Sequence, residues 1–418
     1  MKKLLLLLLA GVLSQAVYAR GSTEDTQAAG GPVTVRAYVL QDDRPFAEMA
    51  YERLQASNPD ISVEFLTQDY FAGEQLIVQL AGRADVDVIP IGNNAGYVEY
   101  VSKGLLAPLN GYVERDNIDV SQYGTYWTGR TIDGLNYDLP TRGSSWVLYY
   151  NKNLFDNAGV PYPSGDMTWE QFRALARRMT SGEGNDKIWG TYIHRWPICT
   201  FGPALQTGAS IIDEDLSAVE RAIQLHYDIQ SDGSTLSYAD GAATNAHYRA
   251  MFTRGNVAMH VMGEWHIAQL RQDADIIDFE WDITTIPHPE GVAPGVSWGM
   301  GAGFGIVSYS RNADAAWELI REIAGPAGQP AIAAGGFLAA YRSPETRAAF
   351  LSGAEAGLPP TNLGVVLEQR NYLEYPAIEN INIIVGTIYR EEIELVLLGE
   401  QSAAEAIQNV KRRIAEEL

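Results

Sequence analysis

Phe252-Thr253-Arg254-Gly255-Asn256-Val257-Ala258-Met259-His260-Val261-Met262-Gly263-Glu264-Trp265 is the stretch from which the rest of the chain is read. Its first residues close a helix, with Gly255 where a helix C-terminus favours positive φ. Val257 to Met262 follows as a short buried strand of apolar and β-branched residues. Gly263 breaks that strand, and Glu264-Trp265 opens the next helix. A tryptophan just past the C-terminal end of a strand stands where open α/β sheets bind ligands. The competing reading is a core strand followed by a core tryptophan, since most aromatic residues simply pack.

The flanking chain supports an α/β fold. Val33 to Leu40 reads as a strand, ending in the polar loop Gln41-Asp42-Asp43-Arg44 before a helix at about 45–58. Ile61 to Leu66 is a second strand, closing in Gln68-Asp69-Tyr70. An amphipathic helix over about 72–82 leads to a third strand, Val86 to Ile91, ending in Asn93-Asn94. This repetition predicts a parallel sheet with helices on its faces. The three polar strand ends line up along one edge, unless each is an ordinary helix N-cap. Further on, Arg142, Ser144 and Trp146 share strand parity and face one side. Pro140 fixes φ and Gly143 stays permissive, which marks a hinge. Gly299, Gly301, Gly303 and Gly305 alternate, letting backbone approach a ligand and letting the strand bend. Helices are expected over 213–229, 245–252 and 312–324, and a Gly/Ala-rich break over 325–336.

The 418 residues, 46% of them hydrophobic, suffice for two sizeable cores. A net charge of −22 makes a poor partner for nucleic acid or anionic membrane and serves solubility. Residues 1–19 form an export signal: Lys2-Lys3, the apolar run Leu4 to Leu13, and Val17-Tyr18-Ala19 as cleavage site. The run is too short to span a membrane. Residues 20–31 are a small, polar, flexible tail. Cys199 is the sole cysteine, so no intrachain disulfide is expected, and none follows the apolar run to carry a lipid anchor.

Phe-x-x-Gly-x-x-Ala-Met-x-x-x-Gly-x-Trp in the opening stretch resembles the extracellular solute-binding proteins of sugar ABC transporters, the maltose-binding-protein-like group. Asn58-Pro59-Asp60-Ile61-Ser62-Val63, Asp85-Val86-Asp87-Val88-Ile89 and Gly104-Leu105-Leu106-Ala107-Pro108-Leu109 are similar to its early segments. Leu139-Pro140, Tyr149-Tyr150-Asn151-Lys152, Phe155 to Gly159 and Thr168-Trp169-Glu170 resemble its most recognisable run. Ile286 to Gly291, Trp298 to Ile306 and Leu398 to Ala406 extend the likeness over nearly all of the mature chain.

The resemblance implies a two-lobed α/β periplasmic binding protein fold, type II or Venus-flytrap, with discontinuous domains and a hinge. Lobe one is then 32–140 plus 306–350, and lobe two 141–300 plus 351–418. It also implies a carbohydrate ligand between the lobes, with Trp265 stacking on sugar and Trp196, by position alone, a second aromatic wall. The expected ligand set is Gln41, Asp42, Asp43, Asn93, Asn94, Arg142, Ser144, Trp146, Trp196, Glu264, Trp265, Trp298 and Gly301. Tryptophan faces cover the apolar faces of a pyranose, and carboxylates, amides and Arg142 bond its hydroxyls. Partners are the permease subunits of an inner-membrane ABC transporter. A monomer is expected, with no nucleic acid, cofactor, metal or catalytic step. A solute binder without an anchor would be lost from a single-membrane cell, which points to a periplasm.

Other chemistries fit less well. Gly295-Val296-Ser297-Trp298-Gly299 matches a nucleophile elbow, but Pro287, Pro289 and Pro294 precede it and a glycine-spaced strand follows. A secreted glycoside hydrolase acting on oligosaccharides is the alternative function, yet nothing singles out a carboxyl pair. The histidines have no metal-ligating spacing, and His260 and His266 suit surface or packed positions. Phe304 occupies the third glycine position of a dinucleotide motif. Tyr149-Tyr150 resembles the pair of ferric-ion binders but lies inside the sugar-type run, and with Trp169 it is read as packing.

Overall fold

A computed structural model of the chain describes residues 31–68 and 73–418. The export signal, most of the tail, and Asp69-Tyr70 therefore lie outside the described residues.

The strands are β1 (Val33–Leu40), β2 (Ile61–Gln68), β3 (Val88–Ile91), β4 (Leu139–Arg142), β5 (Trp146–Asn151), β6 (Trp189–Tyr192), β7 (Val257–Gly263), β8 (Trp281–Thr285), β9 (Val296–Gly299), β10 (Ala302–Ile306) and β11 (Arg370–Leu373). One sheet has the order β2-β1-β3-β10-β4, another β6-β7-β5-β8, and β11 pairs with β9. β1 runs parallel to β2 and β3, while β10 is antiparallel to both β3 and β4. The expected parallel sheet thus carries one reversed strand, because the chain returns from the second sheet to insert β10 between β3 and β4. β6 and β7 are parallel, and β5 is antiparallel to β7 and β8.

Apolar periodicity puts each sheet's core between strands and helices. In the first, Val35, Ala37 and Val39 alternate inward and meet Leu319, Ile320 and Ile323 of the helix Ala313–Ala324. In the second, β5 and β7 are buried on both faces, so both read as continuous apolar runs.

The local expectations fail where turn chemistry overrides pattern. The helix expected over 213–229 starts at Ser217, since Asp213 and Asp215 turn back to accept from the N–H groups of Ser210 and Ser217. The helix expected over 245–252 runs Tyr248–Thr253, because Asn245 sits at a φ of 47° in a left-handed turn. The Gly/Ala-rich break holds a short helix, Gln329–Ala334. The third strand begins at Val88, two residues late.

The chain leaves the first sheet where β4 runs into β5 of the second, and re-enters it where β9, paired with β11, runs into β10. Gly143 is required at the first of these crossings by close packing: its φ is not positive, but any Cβ would enter the Tyr126 ring. The Gly143 N–H donates to Leu338 O at 2.8 Å, adding a third crossing segment to the same place. The glycine series serves mainly strand-to-strand approach, a correction to its reading as a ligand approach. A Cβ at Gly299 would strike Ser144 O, and one at Gly303 or Gly305 would meet the Asp138–Leu139 or Tyr137 backbone region.

Candidate functional site

The C-terminal ends of β1, β3, β4, β6 and β7 meet around a cleft of about 390 Å³. Nine expected residues line it: Asp42, Asn93, Arg142, Ser144, Trp146, Trp196, Glu264, Trp265 and Gly301. Gln41 and Asp43 follow β1 but do not reach it. Gln41 points to solvent, whereas Asp43 is buried against the Arg142 guanidinium at 3.2 Å. Asn94 is also buried, donating from Nδ2 to Tyr375 O. Trp298 lies behind the wall, 1% exposed, with its ring tilted against Trp146 at 5.6 Å.

The aromatic wall is assembled by pairing. Trp146 sits opposite Gly263 in the β5–β7 ladder, so the chain leaving β7 delivers Trp265 beside it. The two indoles meet edge to face at 5.5 Å. Gly263 leaves room for this, since a Cβ there would collide with the Trp265 ring. Trp265 is half-buried, and its Nε1 donates to Tyr248 Oη at 3.2 Å. Tyr248 in turn meets the Trp196 ring at 5.5 Å. Trp196 and Trp265, both half-buried, thus present apolar faces to the cleft, and Trp146 and Tyr248, both buried, line it as the layer that holds them.

The polar groups divide by function. Asn93 caps the helix Asn94–Ser102, accepting from Gly96 N at 2.7 Å, and still lines the cleft. Arg142 is held by Asp43 and lies over the Phe337 ring. Glu264 accepts backbone N–H groups from Ser145 at 2.9 Å and Leu338 at 3.4 Å, clamping two crossing segments to the start of the helix Trp265–Gln272. Burial pushes its carboxyl up to about 8 despite those bonds. Glu374, at the end of β11, accepts from Trp146 Nε1 at 2.7 Å, and burial pushes it up to about 7.

His194, His260 and His266 pack beneath Tyr248, and burial holds His194 down at about 3 and His260 at about 4. They are neutral packing groups. Among the described residues no cluster has the donors for a metal ion. Ser297 is no nucleophile: its Oγ is buried, accepting from Trp146 N at 3.1 Å and donating to Trp146 O at 2.8 Å. Tyr149 and Trp169 are packed, the latter through Nε1 to Gln206 Oε1 at 2.8 Å.

Tyr248, His247, Gln269, Ile198, Met300, Glu374 and Tyr375 line the cleft and were absent from the expected set. Gln269 was findable, being one helical turn beyond Trp265. Glu374 and Tyr375 were not, because the β11–β9 pairing that places them joins residues more than seventy apart.

Two α/β lobes with an aromatic-lined cleft at their strand ends define a two-lobed, periplasmic-type binding protein. The sequence pattern of the bacterial extracellular solute-binding proteins matches residues 39–330, and the chain belongs to that family. A sugar transporter protein of Rhizobium etli, solved in an open conformation, is similar at 28% identity and a TM-score of 0.78, covering 92% of this chain and 99% of that one. An ABC substrate-binding protein of Listeria monocytogenes in complex with cycloalternan has the same fold at 24% identity and a TM-score of 0.81, covering 92% and 98%. The sn-glycerol-3-phosphate-binding periplasmic protein of Rhizobium meliloti (strain 1021) is 24% identical over 307 residues, 67% of each chain.

Proposed function

We propose that this protein captures a neutral sugar or oligosaccharide in the interlobe cleft and presents it to the permease of an ABC importer. The observation that carries the reading is the aromatic lining of the cleft, Trp196 and Trp265 backed by Trp146 and Tyr248, with amide, hydroxyl and carboxyl groups at its margin. Flat apolar faces with scattered hydrogen-bonding groups suit a pyranose, whose faces are C–H and whose rim is hydroxyl. A glycerol phosphate suits the cleft poorly. Asp42 lines it, and its Arg142 is already paired with Asp43 at 3.2 Å.

The lobes are taken as 32–140 plus 306–350 and 141–300 plus 351–418, with sheet membership moving the crossings to about 142–146 and 299–302. Closure about these crossings buries the ligand, and the closed form is what the permease binds, coupling capture to delivery by differential affinity. The protein acts as a monomer, exported by its leader to the periplasm, and performs no catalysis.

A thermal-shift screen against neutral mono- and oligosaccharides and glycerol 3-phosphate tests this, because a ligand that binds only the folded state raises its melting temperature. Stabilisation by glycerol 3-phosphate alone would refute the sugar reading. Cleaved products on the same plate would replace binding with hydrolysis.

A further inference from the structure

Glu374 is 1% exposed and lines the cleft. Its N–H donates to Gly299 O at 3.2 Å, which locks the residue to the end of β9. One carboxyl oxygen, Oε1, accepts from Trp146 Nε1. The other, Oε2, is buried and has no hydrogen-bond partner. A carboxyl oxygen left this way carries the full cost of its lost hydration, so such groups occur where something else completes them. Around the Glu374 carboxyl stand the indole of Trp146 and the titratable side chains of Tyr126, Cys199 and Tyr375. Trp146 is the one group that offsets the effect of burial on it.

We propose that Glu374 is a specificity-determining ligand contact: Oε2 accepts a hydroxyl of the sugar lying on the aromatic wall, while Oε1 holds the Trp146 indole at the angle that wall requires. The assignment rests on the sugar reading above. An acceptor-only group at this point selects a hydroxyl donor, and it rejects the deoxy analogue and any anion. A hydroxyl donated to Oε2 favours the ionised carboxylate. With the unliganded carboxyl near neutrality, binding therefore releases a proton, and affinity strengthens as pH rises from about 6 to about 8. Glu264, Asp42, Arg142 and His247 also line the cleft, so the Glu374 contribution is isolated by substitution.

The experiment is calorimetric titration at pH 6, 7 and 8, in buffers of different ionisation enthalpy. Wild type and E374Q are titrated with whichever of maltose, maltotriose, cycloalternan or an arabinooligosaccharide binds. The amide that E374Q introduces keeps an acceptor for Trp146 and removes the charge. Wild type should release protons on binding. E374Q should bind about 10- to 100-fold more weakly, with a flatter pH profile and, at pH 6 where the wild-type carboxyl is mostly protonated, an unchanged melting temperature. Equal affinity and equal pH slope in the two proteins would overturn the assignment and leave the sugar reading standing. So would absence of proton release in wild type, a measurement that needs no variant. Failure of wild type to bind these four or any neutral sugar in the thermal-shift screen would overturn the sugar reading and this assignment with it.

Discussion

Replacing Trp265 with alanine separates a cleft wall from a core residue. The side chain is half-buried, in edge contact with Trp146 and hydrogen-bonded to Tyr248. A tryptophan carries roughly 150–250 Å² of surface, so one indole face is about 80–100 Å². Covering that face with the apolar side of a sugar, at about 25 cal/mol per Å², contributes about 2 kcal/mol. Trp265→Ala should therefore raise Kd by roughly 30-fold. The stability cost is the edge contact and the single Nε1 bond, together about 1–2 kcal/mol. Trp298→Ala is the contrasting case. That ring is 1% exposed behind Trp146, so its loss should cost about 3–5 kcal/mol in stability. Calorimetric titration with urea unfolding of both variants measures the four quantities. A stability loss above about 3 kcal/mol in Trp265→Ala, with wild-type affinity in the folded fraction, would refute the placement of Trp265 as a ligand platform.

Further outcomes are expected at the crossings, the clamp and the N-terminus. Gly143→Ala forces a Cβ into the Tyr126 ring, so small-angle scattering should show a ligand-induced decrease in radius of gyration in wild type and a smaller one in the variant; equal compaction would remove this crossing from the hinge. Folded Glu264 keeps its proton up to about pH 8, whereas the unfolded chain releases it near 4.5, so this contribution is full below 4.5 and is lost as pH rises through 8. The buried histidines act oppositely, their contribution being lost as pH falls below 6.5, so between pH 6.5 and 8 the carboxyls govern. The wild-type melting temperature should fall across that window and Glu264→Gln should flatten it; parallel profiles would show that Glu264 is not the titrating group. N-terminal sequencing of the exported protein should begin near Arg20, and Met1 retained in a membrane fraction would contradict the leader.

What the amino-acid sequence determined by itself is whatever local pattern dictates. β1 and β7 were legible because an apolar run bounded by turn residues leaves the backbone few alternatives, and Gly255 stands at a φ of 79°, as a helix end asks. Arg142, Ser144 and Trp146 do reach the cleft, but from the end of β4, the link and the start of β5 rather than by the parity of one strand. Tertiary structure alone decided which polar and aromatic groups face the cleft. Trp298 and Trp146 have similar local context and are equally buried, yet only Trp146 lines the cleft, because the layering of β9 behind β5 is a long-range fact. Asp42 and Asp43 are neighbours, but only the second meets the guanidinium of Arg142, ninety-nine residues away. Glu374 enters through the β11–β9 pairing, which no periodicity encodes. Burial and charge pairing depend on what the rest of the chain brings alongside, and that is set by packing between segments distant in sequence.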